Sequence, residues 1–190
     1  MPKEYTFTQK LKLIVDHLKA IRTLDEYVNG VGLKTDMQDL SNHLQQDISR
    51  NVLHPAGWEN LYAEQGSLYS SPESKSKWRV VRGDFIAIEI YPAWPVDVCE
   101  PYVNLYVPPN WKKRPLFIAK LKAPAGFQHV SQSPGDESAE DSVFKYLPYT
   151  SYVGAEGLFD STSFIDAFRE AAKALVDMEK EIDGILERLA

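Results

Sequence analysis

The stretch from Phe85 to Pro108, FIAIEIYPAWPVDVCEPYVNLYVP, constrains this chain more than any other. Two runs in it alternate with period two, the mark of a β-strand, because successive side chains leave a pleated backbone on opposite faces. In the first run Ile86, Ile88 and Ile90 share one face, and Phe85, Ala87, Glu89 and Tyr91 share the other. In the second run Val103, Leu105 and Val107 oppose Tyr102, Asn104 and Tyr106. Between the runs, Pro92, Pro95 and Pro101 cannot donate to a ladder and force a wide loop. The aliphatic side belongs to a core. The other side reads as a surface built for contact.

Helical periodicity flanks this sheet. Leu11, Ile14, Leu18, Ile21 and Val28 form one stripe over about residues 7–29, and Met37, Leu40, Leu44 and Ile48 form another over about 36–50. Gly30 and Gly32 between them predict a turn, with Thr35 or Asp36 as the next cap, so the pair reads as an αα-hairpin. The polar, Ser-rich EQGSLYSSPESKSK at 64–77 reads as a connector. Strands are expected at about 78–82, 84–91, 102–107, 127–132 and 142–149. A short helix over 111–121 carries Pro115 in its first turn. The last helix, capped by Ser161 or Ser163, repeats Ile165, Phe168, Ala172, Leu175, Met178, Ile182, Ile185 and Leu189 near heptad spacing. The fold class is therefore α+β: an antiparallel sheet of about five strands with an N-terminal αα-hairpin and a long C-terminal helix. A length of 190 residues suits one domain over 1–190, with 1–60 and 78–190 as possible sub-units.

Charge and cysteine usage exclude whole classes of function. The net charge of −6 is uneven: residues 1–60 hold 7 basic and 8 acidic groups, 61–130 hold 9 and 6, and 131–190 hold 5 and 13. The acidic last third repels nucleic acid and anionic membranes. No run approaches the roughly 18 apolar residues of a membrane span, and the first residues lack the pattern of a signal peptide. The single Cys99 allows no intrachain disulfide and suits a reducing, cytoplasmic compartment.

Each candidate for chemistry meets a simpler explanation. A metal-dependent nuclease strand would carry Glu-x-Lys, but Tyr91 stands two residues after Glu89, so Glu89 reads as a carboxylate on the solvent side of the sheet. Asp97 and Glu100 disfavour a thiolate at Cys99. His17, His43, His54 and His129 lack ligand spacing, so no metal and no cofactor are expected. Gly30-Val31-Gly32 joins two helices and so lacks the context of a phosphate loop, and Gly154-Ala155-Glu156-Gly157, though between a strand and a helix, lacks a following Lys-Ser/Thr and sets Glu156 and Asp160 where phosphate would sit. The clusters Lys75, Lys77, Trp78, Arg79, Arg82 and Trp111, Lys112, Lys113, Arg114 mix charge with aromatics, as a nucleic-acid binder would; the acidity of the whole argues against it. What remains is the face of Phe85, Glu89, Tyr91, Tyr102, Asn104 and Tyr106, with Trp94 and Trp111 near its ends, which reads equally as a binding surface or as a face that the N-terminal αα-hairpin covers in a sandwiched sheet.

The segments LDEYVNGVGLKTDMQDL, FIAIEIYPAW, YVNLYVP and FIDAFREAAKAL, in this order, resemble the accessory C-terminal modules of bacterial PD-(D/E)XK nuclease-like proteins, many linked to defence against phage. The nuclease core is not among them, so no catalytic residue carries over. The resemblance implies an accessory or binding module of a bacterium or its phage. The expected function is thus a non-enzymatic protein that binds a protein partner through the aromatic face or the terminal helix. The helix's apolar stripe further suggests a homodimer. Two alternatives stand beside it: a small-molecule binder or enzyme with a pocket lined by tyrosine and Glu89, and a nucleic-acid binder using 75–82 and 111–114.

Overall fold

The computed structural model describes residues 31–64, 67–73, 75–92, 100–129, 141–154 and 158–190. The helix expected over 7–29 and Trp94 lie outside them. The chain divides into two compact units, Met1–Leu40 and Ser41–Ala190, and the second holds the sheet. The first described element is a helix.

That helix, α1 (Val31–Ile48), begins before the expected cap. Gly32, Thr35 and Asp36 all lie within it rather than in a turn. Its last turns bury Leu44 and Ile48. It passes into a π turn over Ser49–Leu53, a 3-10 turn over His54–Ala56 and a left-handed Gly57 with φ 77°. Strands β1 (Trp58–Glu64) and β2 (Ser67–Pro72) follow, then β3 (Ala87–Tyr91), β4 (Tyr102–Tyr106), the short helix α2 (Arg114–Ile118), β5 (Gln128–His129) and β6 (Asp141–Tyr146). The sheet is antiparallel throughout, in the order β1-β2-β3-β4-β6-β5. It has six strands, one of only two residues, and the α+β class stands.

Two sequence expectations fail here, each because a side chain finds a partner distant in sequence. The Ser-rich connector contains β2, and the strand expected at 78–82 is instead a 3-10 turn, Ser76–Trp78, followed by a tight turn closed by the bridge Val81–Asp84 with Gly83 at φ 83°. Serines look like loop residues because their hydroxyls compete for backbone groups. In β2 those hydroxyls have other partners. Ser67 donates to Glu89 and Ser70 to Asn60, and both serines are buried. Trp78 leaves the ladder to meet Trp58 edge-on, with ring centroids 5.2 Å apart.

The aliphatic face is a closed core. Ile86, Ile88, Ile90, Val103, Leu105, Val107 and Val143 are fully buried, and α3 (Ser161–Val176) packs on β3 and β4. Its stripe of Phe164, Ile165, Phe168, Ala172 and Leu175 is buried there. Each large side chain so removed from water contributes about 1.5–3 kcal/mol. The cap of α3 is Asp160, not Ser161 or Ser163: its carboxylate accepts from the Ser163 backbone N–H at 3.0 Å and the Ser163 hydroxyl at 2.7 Å. The expected single long helix breaks at Asp177–Met178, where the Met178 N–H bonds the Leu175 carbonyl in a tightened turn. It resumes as α4 (Glu179–Leu189), burying Ile182, Ile185 and Leu186. The stripe that suggested a homodimer seam is therefore used inside this fold.

Polar clamps fasten these helices. The Trp58 indole donates to Glu179 at 2.8 Å and the Trp78 indole to Asp183 at 2.8 Å, while Lys75 bridges both carboxylates and Lys77 reaches Asp183 and Glu187. Burial would raise Asp183, but hydrogen bonds from Lys75, Trp78 and Lys77 outweigh it and hold the carboxyl below its ordinary range. Burial likewise opposes the charge on Lys75, and bonds to Asp183 and Glu179 raise its pKa despite it. At the end of α1, the Arg169 guanidinium grips both oxygens of Asp47 and so lowers that carboxyl.

A candidate binding face around Glu89

Strand register builds the candidate site. Tyr69 on β2 lies opposite Glu89 on β3, Glu89 opposite Asn104 on β4, and Asn104 opposite Phe144 on β6. One row thus crosses four strands on the side away from the aliphatic core. A neighbouring row runs Tyr91, Tyr102, Tyr146. On the other flank Ala87 faces Tyr106.

Glu89 does not face solvent as its sequence context suggests. Only 5% of it is exposed. A carboxylate is buried at tolerable cost only when donors replace its lost water, and here four do so. The Ser67 hydroxyl donates to one oxygen at 2.7 Å, and the Tyr69 and Tyr102 hydroxyls reach the same oxygen at 2.9 and 3.1 Å. The Asn104 amide donates to the other at 3.1 Å. Three strands are thereby joined through one side chain, and two tyrosine rings gain a fixed orientation. Such a network also sets strand register, since a slip of one residue would move Glu89 into the aliphatic core.

The rings complete the face. Tyr91 and Tyr102 are tilted against each other at 5.1 Å, Tyr69 meets Tyr106 edge-on at 5.5 Å, and Tyr146 lies at 4.8 Å from Phe144 and 6.4 Å from Tyr102. The Tyr106 hydroxyl donates to Asp84 at 3.2 Å. The centre of the face is buried and its tyrosine rim is half-buried, with Tyr146 42% exposed.

Of the residues expected at this site, Glu89, Tyr91, Tyr102, Asn104 and Tyr106 come together. Phe85 precedes β3 and lies under the Arg79 guanidinium, 4.8 Å from its ring centroid. Trp111 packs on Phe117 of α2 at 5.4 Å, in a different cluster. Ser67 and Tyr69 join the site from a segment that reads as a loop; its one strand signal is the alternation of Leu68 and Ser70 with Ser67, Tyr69 and Ser71.

The basic-aromatic clusters divide. Lys75, Lys77 and Trp78 are engaged by α4, and Arg114 is buried with its Nε donating to the Val107 carbonyl at 3.0 Å. Lys113 reaches the Leu189 carbonyl. Arg79, Arg82 and Lys112 remain exposed. Among the described residues, no three of His, Cys, Asp and Glu are grouped as metal ligands, and no helix is long and apolar enough to cross a membrane. Compared with protein-family models, curated proteins and solved structures, the chain matches none.

Proposed function

We propose that this chain is a non-enzymatic cytoplasmic binding protein that takes a protein partner on the tyrosine face of its sheet. The observation that supports this is the four-donor network at Glu89. It engages both carboxylate oxygens with neutral donors and so makes Glu89 an organiser of the face. A ligand meets the rings and hydroxyls of Tyr91, Tyr102, Tyr106 and Tyr146. Tyrosine suits such a surface because it offers large contact area and a polar tip at low entropy cost, and lower still when neighbours already hold the ring. The occupant is a protein surface with its own apolar and hydrogen-bonding groups, and the setting is an accessory role in bacterial defence or its evasion by phage.

The test compares wild type with the Tyr91→Ala/Tyr146→Ala double variant. A partner captured from the native host is purified, and its affinity for both forms is measured. A loss of about tenfold or more, typical of an aromatic anchor, with an unchanged melting temperature, is the expected result. A partner held equally by both forms, or no partner enriched by the wild type, overturns the proposal.

A further inference from the structure

A second site lies at the other end of the sheet, where α1 gives way to the π turn Ser49–Leu53. π turns are rare and recur at functional sites, because the extra residue in the turn is retained against the preference for α geometry. This one borders a cleft of about 390 Å³, within the range of roughly 300–1,000 Å³ typical of small-molecule sites. The lining brings together Arg50, His54 and the carboxamides of Asn42, Gln45, Gln46 and Asn60. No carboxylate is among its described lining residues.

One wall is held in place from behind. Asn60 donates to the Ser49 hydroxyl at 3.1 Å, and its carbonyl oxygen accepts from Ser70 at 3.0 Å. Both serines are buried, so the Asn60 amide is fixed by the fold rather than by solvent. Asp47 lines an adjoining hollow of about 90 Å³ that shares Gln46 and Arg50. Its charge is already met by Arg169. Arg50 and His54 are exposed, and among the described residues neither has an ionic partner.

We infer that this cleft binds a small phosphate monoester. A guanidinium fork matches phosphate oxygens two at a time, and an imidazole N–H adds a third donor. The carboxamides of Asn42, Gln45 and Gln46 line the same cleft, and side chains of this kind suit the hydroxyl and amide groups of a sugar or base attached to the phosphate. Ser49 and Leu68 complete the described lining, so apolar surface lies beside the cationic and amide groups.

The test is an NMR titration of the full chain with two probes, inorganic phosphate and AMP. The expected result is saturable shifts of backbone amides within residues 42–54 and at Asn60, with AMP binding more tightly than phosphate. Arg50→Gln and His54→Gln, both at exposed positions that leave the fold intact, each weaken AMP by about tenfold or more. Equal affinity for the two probes narrows the site to the anion alone and overturns the monoester assignment. No saturation by either probe at millimolar concentration, shifts centred elsewhere, or unchanged affinity in Arg50→Gln overturns the site. None of these outcomes bears on the tyrosine face, which the Tyr91→Ala/Tyr146→Ala variant tests separately.

Discussion

The two faces of this sheet bury their centres by opposite means. On the helix side, Ile88, Ile90, Val103 and Leu105 are buried in an apolar layer on which α3 packs. On the other side, Glu89 and Asn104 are as well buried, but they depend on directional bonds from Ser67, Tyr69 and Tyr102. Apolar packing tolerates small shifts, whereas a buried carboxylate loses its compensation if even one strand moves. The contrast assigns different work to each face. The helix side buries apolar area, and the tyrosine side ties β2, β3 and β4 in one register.

The largest expected effect lies on the helix side. Phe168→Ala removes a fully buried ring between α3 and the sheet and should cost about 3–5 kcal/mol in denaturant unfolding. A loss below about 1 kcal/mol would show that α3 is not the principal cover of that face.

Glu89→Leu comes next. It leaves the buried Ser67 hydroxyl and Asn104 amide without their acceptor, and the expected loss is about 2–4 kcal/mol. Glu89→Gln, which keeps one acceptor oxygen, should cost less than the leucine. Combined with Phe168→Ala, Glu89→Leu should be additive to within about 0.5 kcal/mol if the two faces are independent. Strong coupling in that cycle would break the division of labour drawn above.

The smallest effect belongs to the clamp on α4. Asp183→Asn should cost about 1–2 kcal/mol at neutral pH, because its bonds are charge-assisted but partly solvated. The folded-state pKa of Asp183 is lowered, so its contribution is present above the ordinary carboxyl value of 3.8 and disappears as pH falls through the folded value. Wild type and variant should therefore converge in acid. Lys75 is raised, so the same clamp also loosens as pH climbs through its folded value, above 10.5. Melting temperatures across pH give both limbs, and a difference that persists in acid would remove Asp183 from the clamp.

These regions were not equally readable from residues alone. Ile86, Ile88 and Ile90, and Val103 with Leu105, announce their strands because alternation is a local property of the chain. The C-terminal stripe is equally plain, although its break at Asp177–Met178 is not, since Met178 fits the helical spacing. Trp111 reads as part of the face because it is aromatic and near in sequence, whereas packing against Phe117 takes it elsewhere. Glu89 reads as exposed because a lone carboxylate prefers water; its donors Ser67 and Tyr69 arrive from a strand some twenty residues earlier.

By itself, then, the sequence determines which side of β3 and β4 is aliphatic, that the class is α+β, and that an amphipathic helix covers a core. Period and spacing encode those features, and neighbours along the chain suffice to read them. Only the tertiary structure decides that SLYSSP is a strand, that Glu89 is buried, and that Lys75 and Trp78 serve α4. Each of those outcomes depends on a partner distant in sequence, and a polar side chain's preference for water or interior is set by the donors and acceptors that the fold brings to it.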